Sequence, residues 1–217
     1  MRILIVAPHA DDEVLGCGGL IARRSREGHE VDIAVATLGG LADGRRHDET
    51  DVRRGELFRA AEILGAHEPT VLLPGRDGRL DAFPSYDLVS RLDALLEERR
   101  YDEVYFCYPS HHQDHRAVHA ACLSALRPKG GHEPRRVALY EYPCVGWSPV
   151  GANAGRWYVD ISQVLPEKEA ALRAYETQLR EPPHPMSWES AEALARMRGV
   201  ECGRRHAELF YVLRFVE

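Results

Sequence analysis

The chain has 217 residues, of which 44% are hydrophobic and 29% charged, a composition typical of folded globular proteins. Its net charge of -6 at pH 7 argues against binding to nucleic acid or to an anionic membrane, because both need a basic surface. No apolar run reaches the roughly 20 residues of a membrane span, and the five cysteines form no CxxC pair, which indicates free thiols. We therefore expect a cytoplasmic protein without a membrane span.

Short apolar runs alternate with longer amphipathic stretches along the first two thirds of the chain. This pattern is typical of βα units around a sheet, so the sequence predicts an α/β fold with a mainly parallel sheet. Strands are predicted at residues 2–7, 31–37, 70–74, 103–108 and 136–142. Helices are predicted between them, at about 13–27, over a segment closing at Gly65, and at about 86–99 and 114–126.

The alternation weakens after residue 142, where a Gly-rich stretch interrupts it. Beyond this stretch the sequence predicts a strand at 156–162, helices at 165–180 and 188–202, and a last strand at 209–216. No repeat and no linker separates these elements from the rest. We therefore expect one domain over residues 1–217, with a core of about 1–142 and a C-terminal elaboration of about 143–217.

A histidine and three acids stand where the first predicted strand ends, in the sequence "PHADDE" of residues 8–13. Ligands of open parallel sheets bind at the carboxyl ends of the strands, which makes this position a candidate site. His and Asp are common ligands of divalent metals, and a cation relieves the repulsion between packed carboxylates. The sequence predicts that His9 and Asp12 bind a metal, with Asp11 beside them.

The same segment could also belong to a nucleotide-binding turn or act only as a helix cap. The "GCGG" that follows could be part of a dinucleotide-binding turn, but three carboxylates in that turn would repel a pyrophosphate. The acids could instead serve only to cap the next helix, because Asp and Glu are favoured in a first helical turn. A capping role is adequate for Glu13, but it does not account for His9.

A second cluster, "YPSHHQDHRAVH" at residues 108–119, follows the fourth predicted strand. His115 could complete a set of two histidines and one carboxylate with an open position, the pattern of a catalytic metal. Asp114 could orient a neighbouring histidine by a hydrogen bond. For His111 and His119 a solvated or capping role is favoured, since single histidines of loops and helix starts commonly have such roles.

The segments "PHADDEVLGCGG" and "HQDH" together resemble the LmbE-like, or PIG-L, family of zinc-dependent N-acetylglucosaminyl deacetylases. The likeness extends to "RRGE" at residues 53–56, "KEAALRAYETQ" at 168–178 and "GRRHAELF" at 203–210. It implies a Rossmann-like three-layer sandwich. The chain departs from the usual family pattern at Ala10, where the family usually has proline, and at His206, where it usually has tyrosine.

The resemblance also implies a role for each of seven residues. They are the zinc ligands His9, Asp12 and His115, the general base Asp11, the oxyanion-stabilising or proton-donating His112, the histidine-tuning Asp114, and Arg53, which can reach the substrate. From the residues alone, Arg53 could equally form a helix-surface ion pair with Glu49 or Glu56.

The leading hypothesis is that the chain is a zinc-dependent hydrolase that removes the N-acetyl group of an amino-sugar-containing small molecule. Two alternatives remain open. The same ligand set could hold Fe²⁺ in a non-haem iron enzyme, or the chain could be a Rossmann-like module that binds a sugar or metal without turnover. Substrate choice is expected to depend on the loops at 38–49, 75–85 and 143–155, with Trp147 as a candidate sugar-stacking residue. The sequence is compatible with a homo-oligomer.

Overall fold

The computed structural model describes residues 1–39, 50–143 and 155–217, and these residues contain one seven-stranded sheet and six α-helices. The strands are β1 (Arg2–Ala7), β2 (Glu30–Val35), β3 (Thr70–Val71), β4 (Glu103–Cys107), β5 (Arg136–Tyr140), β6 (Gly155–Asp160) and β7 (Ala207–Phe215). The helices are α1 (Asp12–Arg26), α2 (Thr50–Leu64), α3 (Ser85–Arg99), α4 (Gln113–Ala125), α5 (Leu165–Arg173) and α6 (Trp188–Cys202). Among the described residues, no helix combines the length and the apolar character that crossing a membrane requires.

The sheet has the strand order β3-β2-β1-β4-β5-β7-β6. Strands β1 to β5 pair in parallel, and β1 lies at the centre, with Ile3 opposite both Val31 of β2 and Glu103 of β4. The pairs that β7 forms with β5 and with β6 are antiparallel. The predicted α/β fold with a mainly parallel sheet is confirmed, and the C-terminal third adds two strands to the same sheet.

Helices cover both faces of the sheet, which explains why β1 is apolar along its length. Residues 3–7 are at most 1% exposed, as expected for a parallel strand that is buried on both faces. Helices α1, α2 and α5 contact one another, and α3 contacts α4. The strand order reverses between β1 and β4, so the crevice of this fold is expected at the carboxyl ends of these two strands.

The "GCGG" segment lies within α1, where its glycines allow close packing. A Cβ at Gly16 would overlap the ring of Tyr140, and one at Gly19 would overlap the side chain of Ile161. The Tyr140 ring is buried, and its hydroxyl donates a hydrogen bond to the carbonyl of Val6 in β1. These glycines therefore fix α1 against the sheet, and with it the acids at the start of the helix.

We expect Gly16→Ala to lower the free energy of unfolding by about 1–3 kcal/mol, because the added methyl group overpacks the site against a buried ring. The matched control is Gly55→Ala in α2, where an added Cβ meets no atom within 4 Å. This control should instead stabilise the protein by about 0.5–1 kcal/mol, because alanine favours the helix. Urea unfolding of both variants measures the difference, and equal effects would contradict the packing role of Gly16.

Two elements are shorter than the sequence predicts. Helix α5 ends at Arg173, although the apolar pattern continues to residue 180. The cause is a tertiary contact, because the backbone N–H and the hydroxyl of Thr177 donate to the Glu56 carboxylate at 2.7 and 2.6 Å. Strand β3 is formed by two residues, and Leu72 and Leu73 prolong its pairing by donating backbone hydrogen bonds to β2 and to Ala36 just beyond it.

Candidate active site

The turn between β1 and α1 places Asp11 in an unusual backbone conformation. Its φ of 120° and ψ of -32° lie in a region that residues other than glycine rarely adopt. The Asp11 carbonyl accepts the N–H groups of Val14 and Leu15 at 3.1 and 2.9 Å, so the backbone of Asp11 starts the helix. The Asp11 N–H donates to the Glu13 carboxylate at 3.0 Å. Glu13 therefore has the capping role that its sequence position suggests, whereas the Asp11 side chain makes no capping hydrogen bond.

Three residues predicted as metal ligands converge on one point. Nδ1 of His9 lies 3.3 Å from Oδ2 of Asp12, and Nε2 of His115 lies 3.3 Å from the same oxygen. One potential ligand atom from each of the three residues lies within 4.8 Å of the others. His115 comes from α4, so the fold brings the two sequence motifs together as the sequence analysis predicted. Two imidazoles and one carboxylate match the ligands of a catalytic zinc, which keeps one position open.

The second nitrogen of each imidazole has its own partner. Nε2 of His9 lies 2.9 Å from Oδ2 of Asp114, and Nδ1 of His115 lies 2.9 Å from the Tyr142 hydroxyl. Such contacts fix the ring orientation and leave the other nitrogen directed towards a metal. The ligand atoms therefore fit a divalent metal, and so do the groups that contact the second nitrogen of each imidazole. Tyr142 is not among the predicted site residues, and its only signal in the sequence is its position at the carboxyl end of the fifth predicted strand.

Asp114 is fully buried and holds three donors. Its carboxylate accepts the backbone N–H groups of Gly78 and Leu80 at 2.6 and 2.9 Å, in addition to the contact with His9. Burial opposes ionisation, but these hydrogen bonds outweigh it and lower the pKa of Asp114 below its usual value. Asp114 thus contacts the histidine of the first motif and ties α4 to the loop after β3.

An alternative grouping of His9, His112 and Asp114 also brings three ligand atoms within 4.8 Å. It fits a metal less well, because Asp114 already accepts two amides and Nδ1 of His112 accepts the Asp114 N–H at 3.2 Å. The His112 ring lies 5.1 Å from that of His9 and 5.3 Å from that of His115. Burial and these two histidines lower the pKa of His112, which favours a neutral ring.

The charges of the site are arranged as they would be around a cation. Burial opposes protonation of His9, but Asp114 and Asp12 outweigh it and raise the pKa of His9 to about 10. Burial would raise the pKa of Asp12, yet His115 and His9 hold it well below its usual range. The pKa of Asp11 is raised well above its usual value by burial and by the neighbouring Asp12 and Glu13. Without a metal, a proton on His9 supplies the positive charge between the carboxylates.

Arg53 reaches the site from α2 and pairs with Asp77. The Glu56 carboxylate binds Thr177 and not Arg53, and the suggested pair with Glu49 lies outside the described residues. Within the described part of the chain, Nε of Arg53 and Oδ1 of Asp77 are buried and have no hydrogen-bond partner. Asp77 is not among the predicted site residues, although it lies in a polar loop after the third predicted strand.

These groups surround a cavity of about 450 Å³, a size suited to a small molecule. Its wall includes the ligand set, Asp11, Arg53, Asp77, His111, His112 and Tyr142, with Gln178 and Met186 from the C-terminal third. His119 instead contacts the Cys107 carbonyl, at 3.1 Å, and His206 lies 3.5 Å from Glu192. Trp147 and most of the loops at 38–49 and 143–155 lie outside the described residues.

The fold and the site define an α/β protein with a candidate catalytic metal site at the carboxyl edge of its sheet. Residues 4–126 match the family model described as PIG-L: GlcNAc-PI de-N-acetylase. The chain therefore belongs to the PIG-L, or LmbE-like, family, which confirms the family resemblance of its motifs.

Individual relatives match over most of the chain. A probable N-acetyl-α-D-glucosaminyl L-malate deacetylase 2 of Bacillus subtilis (strain 168) is 28% identical, with 82% of this chain and 83% of that protein covered. The crystal structure of a conserved protein from Thermus thermophilus has a TM-score of 0.78 and 28% identity, over 99% of this chain and 95% of that one. The N,N'-diacetylchitobiose deacetylase of Pyrococcus horikoshii also has a TM-score of 0.78, at 25% identity over 98% of this chain and 83% of its own.

Proposed function

We propose that this chain is a zinc-dependent deacetylase that hydrolyses the acetamide of an N-acetylglucosamine-containing small molecule. The observation that carries the proposal is the convergence of His9, Asp12 and His115 on one point of a cavity that Asp11 also lines. Relatives named as deacetylases of N-acetyl-α-D-glucosaminyl L-malate and of N,N'-diacetylchitobiose support the substrate class.

His9, Asp12 and His115 would hold the metal. When bound, zinc makes a water molecule nucleophilic at neutral pH and polarises the carbonyl group of the substrate. Two imidazoles with a single carboxylate also suit Fe²⁺, so ferrous iron is the second candidate metal. The adjacent Asp11 carboxylate favours hydrolysis, because hydrolysis needs a group that accepts a proton from water.

Asp11 acts as the general base in this proposal. Its carboxylate lines the cavity next to the ligand Asp12 and is only 6% exposed. The Asp11 side chain is not used for capping, and a cation bound beside it would counter the raised pKa of its carboxyl group, so the carboxylate is available to take a proton from the attacking water. The positive φ of Asp11 turns this residue and the following ligand towards the same cavity.

His112 stabilises the charge that develops on the carbonyl oxygen or protonates the leaving amine. Since Nδ1 accepts the Asp114 N–H, a neutral His112 ring carries its proton on Nε2. This N–H is a suitable donor to an oxyanion, and such donors typically contribute a few kcal/mol to catalysis. Asp114 orients His9, and Arg53 and Asp77 are the candidates for polar contacts with the substrate because both line the cavity.

The test is acetate release from a panel of N-acetylglucosamine derivatives by protein loaded with Zn²⁺ or, without oxygen, with Fe²⁺. We expect one acetate and one free amine per turnover, loss of activity with a chelator, and recovery when Zn²⁺ is restored. Metal-loaded protein that releases no acetate from any member of the panel would refute the proposal. Turnover that requires both Fe²⁺ and oxygen would support the iron enzyme instead.

A further inference from the structure

The C-terminal third contacts the candidate base through one buried carboxylate. Glu13 is fully buried, and each of its oxygens accepts one hydrogen bond. Oε2 accepts the Asp11 N–H at 3.0 Å, and Oε1 accepts the Tyr175 hydroxyl. Tyr175 is also fully buried and lies just beyond the end of α5. Residues a long way apart in the chain thus meet at the backbone of Asp11.

Asp11 needs such support because of its backbone conformation. A φ of 120° is strained for a residue with a side chain, and it persists only where the surroundings hold it. The Asp11 carbonyl is held by two N–H groups of α1, and its own N–H is held by Glu13. If Glu13 moved, the Asp11 peptide could relax, and the carboxylate would change its position in the cavity.

The segment of Tyr175 is itself firmly attached to the core. The backbone N–H and hydroxyl of Thr177 donate to Glu56 of α2, and the next residue, Gln178, lines the cavity. The Tyr175 carbonyl accepts the Gln178 N–H at 3.1 Å. The hydroxyl of Tyr175 is therefore presented to Glu13 from a fixed backbone.

We propose that Glu13 and Tyr175 form a positioning pair that holds Asp11 in the orientation needed for proton transfer. This inference rests on the deacetylase function proposed above, and it gives the C-terminal third a part in catalysis. Neither residue needs to touch the substrate, because the pair acts through the Asp11 backbone.

Three variants separate the two hydrogen bonds. Tyr175→Phe removes only the hydroxyl, and Glu13→Ala removes both bonds. In Glu13→Gln the side-chain oxygen can still accept the Asp11 N–H. The side-chain NH₂ group can donate to the Tyr175 hydroxyl, which then accepts a hydrogen bond instead of donating one. We expect kcat to fall about 10-fold in Tyr175→Phe and about 100-fold in Glu13→Ala, because small misplacements of a catalytic group cost this much. Glu13→Gln should restore most of kcat, and KM should stay within about twofold throughout, since the pair acts on proton transfer and not on substrate binding.

The matched control is Tyr105→Phe. Tyr105 is also fully buried, and its hydroxyl donates to Oε2 of Glu103 at 2.6 Å. Glu103 is the first residue of β4 and therefore lies at the amino-terminal end of the strand, whereas the cavity lies at the carboxyl ends of the strands. This control loses the same kind of hydrogen bond and should lose stability, but it should keep kcat. Equal falls in kcat for Tyr105→Phe and Tyr175→Phe would overturn the inference.

Crystal structures of the wild type and the variants provide a readout that is independent of activity. We expect the φ of Asp11 to stay near 120° in Glu13→Gln and to change in Glu13→Ala. If Glu13→Ala does not fold, Tyr175→Phe provides the second test. An unchanged Asp11 in the variant lacking the pair would overturn the positioning role. An inactive wild type would overturn the proposed function, whereas the Asp11 conformation would still decide the positioning role.

Discussion

Asp11→Asn is expected to lower kcat for acetate release by about 10²- to 10⁴-fold, the usual contribution of a general base. Asparagine has nearly the same shape as aspartate and, like aspartate, is among the residues that tolerate positive φ best. The turn should therefore keep its conformation. The amide oxygen cannot take up a proton, so the substitution removes the base while preserving its surroundings.

The metal content of the variants separates loss of the base from loss of the site. Asp11 is outside the group of His9, Asp12 and His115, so Asp11→Asn should retain a full equivalent of zinc after gel filtration. Asp12→Asn is the contrasting variant, because it removes the only anionic ligand between two imidazoles, and it should lose both metal and activity. Retention of kcat within about threefold in Asp11→Asn would assign the proton transfer to another group.

The parts of the site that the sequence predicted are those where chemistry and topology coincide. His9 and Asp12 follow one apolar strand, and His115 follows another, so the carboxyl-edge rule for parallel sheets brings them together without knowledge of side-chain contacts. The same rule predicted the parallel core, because buried parallel strands appear as continuous apolar runs.

The contacts that the sequence did not reveal join segments with no local pattern in common. Asp77 lies in the loop after β3 and Arg53 in α2, and neither residue has a spacing that indicates the ion pair between them. Tyr175 resembles an ordinary core residue of an amphipathic helix, and only the tertiary structure shows its hydroxyl on Glu13. Hydrogen bonds of this kind depend on the final packing, which local propensity does not encode.

The early end of α5 illustrates how tertiary contacts override local preference. Residues 174–180 continue a helical pattern, but the Thr177 amide and hydroxyl bind Glu56 and the helix stops. The cost of a few unmade helical hydrogen bonds is offset by bonds to a carboxylate, which are stronger than those between neutral groups. The consequence for the site is that Gln178 reaches the cavity wall, which a continuous helix would not guarantee.

The affinity for zinc is expected to rise about 100-fold between pH 6 and pH 8, because the metal must displace the proton of His9. The pKa of His9 in the metal-free protein is raised to about 10, so the ring is protonated throughout this range. A ligand must be neutral to bind, and each unit of pH below the pKa therefore weakens the apparent affinity about tenfold. Competition with a chelator of known affinity measures the dissociation constant, and calorimetry in two buffers measures the protons released.

Asp114→Asn provides the matched variant for this prediction. The hydrogen bond to Asp114 is a main reason for the raised pKa of His9, so its loss lowers that pKa and makes the affinity less dependent on pH. At high pH, where His9 is neutral in both proteins, the variant should bind zinc about 10- to 100-fold more weakly, since the partner that orients His9 is weakened. The two affinity curves should therefore converge as the pH falls. A wild-type affinity that does not change between pH 6 and 8 would show that the metal does not displace a proton from His9. Curves that stay parallel up to high pH would show that Asp114 does not raise the pKa of His9.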